Sequence, residues 1–325
     1  QKREENSISL AATADKGKLI DDPVFAGMVS PKSNMILMMA LVLGIGVPLG
    51  IIYLIQLMRY KIEGHEDVAK LTKLPIIADV ALTNDDNNNG IVVHENENNQ
   101  IDEIFRSMRT NIQFMLEDGQ KVVMFTSSTS GEGKTFNAVN VAISFATLGK
   151  KVIIMGLDIR KPRLAQIFNF TNRKLGITNL LNKEHVSMDE IMTQVTPSGP
   201  IPPNPTELLA REHLGDIIKT LKEKYDYIIL DTAPAGLVTD SLQIGKVADV
   251  AVVVCRADYT PKASFELFNK LHAEKKLPNM CYVLNGVDMS KKKYGYYYGY
   301  GKYGKYGKYG KYSSYTYGTY SSSHY

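Results

Sequence analysis

The sequence predicts a doubly wound α/β domain on a mostly parallel sheet, preceded by one transmembrane helix and followed by a disordered tyrosine-rich tail. Three observations predict it. Short, β-branched and almost continuously apolar runs at 122–125, 152–155, 227–230, 250–255 and 281–284 alternate with helix-length stretches. Strands apolar along their whole length are buried on both faces, as in a parallel sheet covered by helices. Residues 35–58 form 24 positions without a charge. Residues 294–325 hold 13 of the 19 tyrosines and no aliphatic side chain that could build a core.

The 325 residues are 44% hydrophobic and 22% charged, globular values that exclude wholesale disorder and suit about two domains, or one with appendages. Of the net charge of +4, all is carried by the four lysines of 294–325, which has no acid, so the body is neutral. A neutral body argues against nucleic acid as a partner, because a binding domain shows a basic face on the fold itself. Cys255 and Cys281 sit in apolar runs and read as reduced core thiols. Gln1 rather than Met opens the chain, which reads as part of a longer protein.

At about 1.5 Å per residue, a helix over 35–58 reaches roughly 36 Å, enough for a hydrocarbon core of about 30 Å. Its Gly44, Gly46, Pro48 and Gly50 are better tolerated in lipid than in a soluble helix. A buried core helix would not need this length. A cleaved signal peptide would not follow 34 residues or lack a small-residue cleavage site. Lys and Arg flank the span almost evenly, three before and four after within twenty residues, so charge does not fix its orientation. ATP is a cytosolic ligand, and the nucleotide motif below places the carboxyl side in the cytoplasm and 1–34 outside it.

After the span, 59–98 reads as a juxtamembrane linker with a short helical patch, a strand at 76–80 and a polar, mobile stretch over 82–100. A domain over 99–290 then opens with a helix carrying Ile101, Ile104, Phe105, Met108, Ile112 and Met115 on one side. Asn204-Pro205-Thr206-Glu207 has the form of a helix start, with Asn as cap, Pro in the first turn and Glu three residues on.

The strand at 122–125 runs into Thr126-Ser-Ser-Thr-Ser-Gly131-Glu-Gly133-Lys134-Thr135 and then an apolar helix to about Leu148. A strand, a Gly-rich loop ending in Gly-Lys-Thr and a helix make a phosphate site. Backbone N–H groups cradle the phosphates, Lys134 reaches the outer ones and the Thr135 hydroxyl suits Mg²⁺. Ser128 stands where the motif usually has its first glycine. Asp158 and Asp231 end two further buried strands, and ligands bind at the carboxyl ends of such strands, so both should converge near Thr135 as metal ligands.

Taken together, Ser130-Gly-Glu-Gly-Lys-Thr135, Leu157-Asp-Ile-Arg-Lys-Pro162 and Asp231-Thr-Ala-Pro234 resemble Walker A, Walker A′ and Walker B of the bacterial tyrosine kinases. These are the cytoplasmic domains of Wzc-type polysaccharide co-polymerases. The resemblance covers about 20–325 and includes Glu103-x-x-Arg106-x-x-Arg109, similar to the family's oligomerisation motif. It implies a P-loop fold and an ATP- and Mg²⁺-dependent tyrosine autokinase. That enzyme would sit at the bacterial inner membrane, form a homo-oligomeric ring (an octamer in the family) and work with polysaccharide polymerase and export machinery and a cognate tyrosine phosphatase. The nucleotide site would comprise Ser130, Gly131, Glu132, Gly133, Lys134, Thr135 and Phe136, with Arg256 and Asn285 toward the base. Lys134, Asp158 and Arg160 would be catalytic, with Asp158 activating the acceptor and Arg160 meeting transition-state charge. Two departures stand out. Gly156 replaces the usual first Walker A′ aspartate, and Thr129 stands where partition and septum-positioning ATPases carry an extra lysine.

The expected phosphoacceptors are Tyr294, Tyr296, Tyr297, Tyr298, Tyr300, Tyr303, Tyr306, Tyr309, Tyr312, Tyr315, Tyr317, Tyr320 and Tyr325. Each phosphate adds about −1.5 to −2 charge, so three reverse the tail's sign and would drive clustered tails apart. A Gly/Lys/Tyr tail standing alone could instead stack on RNA bases. Spacing alone also allows Glu103, Arg106 and Arg109 to be a solvated helix face. Two other functions compete: a membrane-tethered partition-type ATPase with water as acceptor, which leaves the tyrosines unexplained, and a nucleotide-sensing scaffold, which Gly156 favours.

Overall fold

The computed structural model describes residues 32–57, 60–83, 89–94, 99–169, 176–182, 195–200, 202, 204–210 and 213–289. The expected tail and nearly all of the expected extracytoplasmic stub lie outside the described residues. The chain divides into two units, Gln1–Arg59 and Tyr60–Tyr325. In the first, α1 (Ser33–Leu57) is long and apolar enough to cross a membrane, and side chains such as Leu37 and Val42 are exposed.

The second unit is built on seven parallel strands in the order β1-β7-β6-β2-β5-β3-β4. They are β1 (Ile76–Ala81), β2 (Val122–Ser127), β3 (Val152–Gly156), β4 (Val195–Thr196), β5 (Tyr227–Asp231), β6 (Val250–Arg256) and β7 (Met280–Val287). Side chains alternate between the two faces of the sheet, as the period of two requires. Val123, Phe125, Ile154, Ile229, Val252 and Val283 face α3 (Gln100–Met115) and α4 (Lys134–Thr147), which supply Phe105, Met108, Ile112, Val139, Val141 and Phe145. Met124, Ile153, Met155, Ile228, Leu230 and Tyr282 face the other way. There they meet α8 (His213–Lys224) and α10 (Ser264–Ala273), through Leu214, Ile217, Leu221, Phe265 and Phe268. The shorter helices are α2 (His65–Leu71), α5 (Leu164–Ile167), α6 (Ile177–Leu181), α7 (Pro205–Leu209) and α9 (Asp240–Ile244). Cys255 and Cys281 are free and buried inside β6 and β7.

Helix α3 begins where its pattern predicts, with the Asn99 side chain accepting from the Asp102 N–H at 2.9 Å. Helix α7 also starts at Asn204 with Pro205 at its first position, but the Asn204 side chain makes no cap hydrogen bond, so the expected capping box is not formed.

Two sequence expectations are corrected. The stretch 59–98, read as a linker ahead of the domain, carries its expected helical patch and strand as α2 and β1 but belongs to the fold: β1 pairs with β7 at the sheet edge, and Ile62 is fully buried. Antiparallel backbone bonds join Tyr60–Ile62 to the loop after β6: Ile62 N–H to Thr260 O at 3.0 Å, Asp258 N–H to Ile62 O at 2.8 Å, and Lys262 N–H to Tyr60 O at 2.7 Å. Within 82–100, read as too polar to pack, Val92 and Val93 are buried against α3 and α4. The side chain of Asn140 holds them. Its Oδ1 accepts from the N–H groups of Val92 and Val93 at 2.8 and 3.2 Å, and its Nδ2 donates to Gly90 O at 2.9 Å. Asn140→Ala leaves these buried groups without partners, at an expected cost of about 1–3 kcal/mol. The expected outcome is a lower urea midpoint together with faster hydrogen exchange at the Val92 and Val93 amides than elsewhere in the domain.

Candidate active site

The loop 128–133 between β2 and α4 turns on Gly131 and Gly133, both left-handed with φ of 90° and 96°. Gly133 has a second reason to be glycine, since a Cβ there would lie 2.0 Å from Asn285 Nδ2. Three successive carbonyls of this loop are held from outside: Ser130 O by the Tyr259 hydroxyl at 2.9 Å, Gly131 O by Arg256 Nη1 at 3.1 Å, and Glu132 O by Asn285 Nδ2 at 2.9 Å. A trans peptide points its N–H opposite its C=O, so the amides of Gly131, Glu132 and Gly133 are turned inward together. That is an anion cradle at a helix N-terminus.

Glu132 puts a carboxylate on a phosphate-binding loop without opposing the phosphate, because the side chain is buried on the far side. It accepts from the Ser128 hydroxyl at 2.7 Å, the Thr129 N–H at 2.8 Å and the Thr260 hydroxyl. Ser128, the departure from the usual first glycine, is therefore part of the brace.

Lys134 opens α4 and stands between two buried carboxylates. Its Nζ donates to Asp158 Oδ2 at 2.8 Å and lies 3.9 Å from Asp231 Oδ1. Burial pulls the Lys134 pKa down, but the facing Asp231 and Asp158 outweigh it and hold it above the ordinary value. Thr135 donates its hydroxyl to Asp231 Oδ2 at 2.8 Å, while Asp231 Oδ1 is buried without a hydrogen-bond partner. Desolvation raises the Asp231 pKa to about 6, against the pull of Lys134 and Thr135. No cluster of three His, Cys, Asp or Glu suited to a metal occurs among the described residues. A hydroxyl, one or two carboxylates and an orphaned carboxylate oxygen nevertheless fit Mg²⁺, which takes few protein ligands and completes its shell with water and phosphate.

The structure thus brings Lys134, Thr135, Asp158 and Asp231 together as expected. Other expected residues stand differently. Arg160 is committed to the buried Asp240, Nε to Oδ2 at 2.6 Å, and also reaches the Thr206 hydroxyl at 3.1 Å. Phe136 turns away from the loop and packs edge-on against Phe105, with ring centroids 5.9 Å apart. On α3, Glu103 and Arg106 pair at 3.5 Å, while Arg109 donates to the Ser144 carbonyl at 2.6 Å. Sequence reasoning missed Tyr259, Thr260 and Asp240, which act across long separations. It also passed over Asn137, whose Nδ2 ties the start of α4 to Gly133 O at 2.9 Å. An asparagine in an otherwise apolar helix was the available signal.

Comparison with known proteins agrees with this geometry. The family described as the AAA domain matches residues 120–276. The chain is 38% identical over 204 residues to the tyrosine-protein kinase YwqD of Bacillus subtilis, covering 60% of this chain and 85% of that protein. The chain belongs to the bacterial tyrosine-protein kinase family. The crystal structure of the chimerical protein CapA2B2 is 31% identical, with a TM-score of 0.63 over 69% of this chain and all of that one. The kinase domain of Escherichia coli tyrosine kinase ETK, at 22% identity, shares the fold with a TM-score of 0.62 over 74% of this chain. This kinase therefore binds nucleotide and acts on tyrosine.

The raised pKa of Asp231 has a consequence for stability in this kinase. Folding favours its protonated form, so that contribution is complete below about pH 4 and is lost as pH rises through about 6. A shift of about two units corresponds to about 3 kcal/mol. In the absence of nucleotide, Asp231→Asn is expected to be the more stable protein at pH 8, by up to about 3 kcal/mol. The advantage should vanish toward pH 4, as read by urea melts across pH, and the variant should transfer no phosphate.

Proposed function

We propose that this kinase transfers the γ-phosphoryl group of ATP to tyrosines in the 294–325 tails of neighbouring copies, and so controls a membrane-bound ring that serves capsular or exopolysaccharide assembly. The observation that carries the reading is Lys134 held between Asp158 and Asp231 beside three inward-turned loop amides. Strand order gives the site its polarity. Arg256 at the end of β6 and Asn285 near the end of β7 stand on one side of the loop, where the base would lie, and Asp158, on the turn after β3, stands on the other, where the acceptor would lie.

Lys134 leaves Asp158 for the β- and γ-phosphates when ATP is bound. Asp158 is then free to orient the tyrosine hydroxyl and take its proton as the oxygen–phosphorus bond forms and the bond to ADP breaks. Thr135 and Asp231 would hold Mg²⁺, with Asp158 beside them. The ion, when bound, offsets charge on the transferring group. Arg160, released from Asp240, supplies further positive charge on the acceptor side.

In the ring, taken as an octamer, Glu103 and Arg106 lie on an exposed face of α3 and suit an intersubunit contact; Arg109 supports that face through Ser144. The apolar α1 anchors the chain in the bacterial inner membrane with the kinase domain and tail in the cytoplasm. Export machinery and a tyrosine phosphatase act as partners. A water-activating ATPase or a passive scaffold gives no role to 13 tail tyrosines.

Intact mass before and after ATP and Mg²⁺ tests the transfer. The expected result is a ladder of about 80 Da steps mapping to 294–325 and absent in Lys134→Met. Bound ATP without a ladder would sink the proposal. Arg106→Ala is expected to lower both oligomer mass and tail phosphorylation while leaving the melting temperature within about 1 °C of the parent, because an exposed ion pair is worth well under 1 kcal/mol.

A further inference from the structure

Strand β3 ends at Gly156, and the turn that carries Asp158 follows at once. Four bonds hold that turn. The Leu157 and Asp158 N–H groups both donate to Asp231 O, at 2.7 and 3.0 Å. The Lys161 N–H donates to Asp158 Oδ1 at 3.0 Å. The carbonyl of Gly156 accepts from the Ser198 hydroxyl at 2.7 Å. The last bond is unusual in kind. Strand β4 pairs with β3 through Ile154–Val195 and Met155–Thr196, and the next residue, Pro197, has no N–H with which to continue the ladder. A buried side chain takes over from the backbone there.

Ser198 also fills space. A Cβ placed on Gly156 would stand 2.8 Å from Ser198 Oγ, 3.2 Å from Leu164 Cδ1 and 3.3 Å from Ser198 N. Gly156 is not in the left-handed region, so its reason to be glycine is this contact and not backbone strain. We infer that Ser198 is a positioning residue for phosphoryl transfer, fixing the Asp158 turn through the Gly156 carbonyl, and that Gly156 and Ser198 form a matched pair in which no side chain fits at 156 while the Ser198 hydroxyl is present. The activity part of this inference rests on Asp158 serving the acceptor; the steric part does not.

The test uses the full chain with Ser198→Ala, Gly156→Ala and the double variant, read by urea midpoint, by ATP affinity with a fluorescent analogue, and by initial rate of tail phosphorylation. Ser198→Ala is expected to lower kcat by about threefold to tenfold with KM for ATP unchanged, because Lys134, Thr135 and the loop amides are untouched. Gly156→Ala lowers both midpoint and rate, and adding Ser198→Ala to it recovers part of the midpoint. Parental kcat in Ser198→Ala overturns the positioning role. A parental midpoint in Gly156→Ala, or strictly additive midpoints, overturns the pairing. Absence of phosphate on the parent's tail is a failure of the proposed function instead, and the midpoint cycle still decides the pairing.

Discussion

Two carboxylates buried at the ends of parallel strands repel each other and lose their hydration, and such a pair persists only if a cation is buried with it. Here that cation is Lys134, and it comes from the first turn of α4, where the helix dipole disfavours positive charge. The arrangement is therefore poised rather than relaxed. The lysine faces the Asp158 and Asp231 carboxylates, the Asp231 pKa is lifted, and one of its oxygens has no hydrogen-bond partner. On the reading proposed above, a phosphate on the cradle would give Lys134 another anion to meet, and a divalent cation would give Asp231 another charge to face. That tension is built into the arrangement, and the rest of the unit serves to hold these side chains against it.

The cradle is held from one side and the acidic residues from the other. On the β6–β7 side, Arg256, Tyr259 and Asn285 grip loop carbonyls, and Thr260 reaches Glu132. The segment after β6, which bears Tyr259 and Thr260, is bonded in turn to Tyr60–Ile62, the start of the folded unit. On the β3–β4 side, Asp240 gathers Arg160 from the turn after β3 and Thr206 from the start of α7. The phosphate loop lies between these two clamps, which explains why a sheet with β2 at its centre suits this chemistry.

Much of this was legible in the sequence. Strands β2, β3, β5, β6 and β7 announced themselves because burial on both faces demands unbroken apolar runs, and α3 because its apolar residues fall on one face. The Gly-Lys-Thr loop and the two strand-terminal aspartates gave the heart of the site for the same kind of reason: the chemistry needs them at fixed places relative to strand ends. What was hidden was set by distance along the chain. The groups that grip the loop stand 125 to 153 residues away from the carbonyls they hold, and no local spacing encodes such contacts. Strand β4 is two residues long and carries no period to read. The polar neighbours of 91–93 masked the apolar character of those three residues, and the asparagine that docks them lies on another helix.

The two thiols carry a practical consequence. Burial pushes both Cys255 and Cys281 well above the ordinary thiol range, so neither offers reactive thiolate near neutral pH. They are the chain's only cysteines. The native protein is accordingly its own silent background for thiol chemistry: a single cysteine introduced on the surface will take up a dye, a spin label or a cross-linker alone, with no need to rebuild the core strands first.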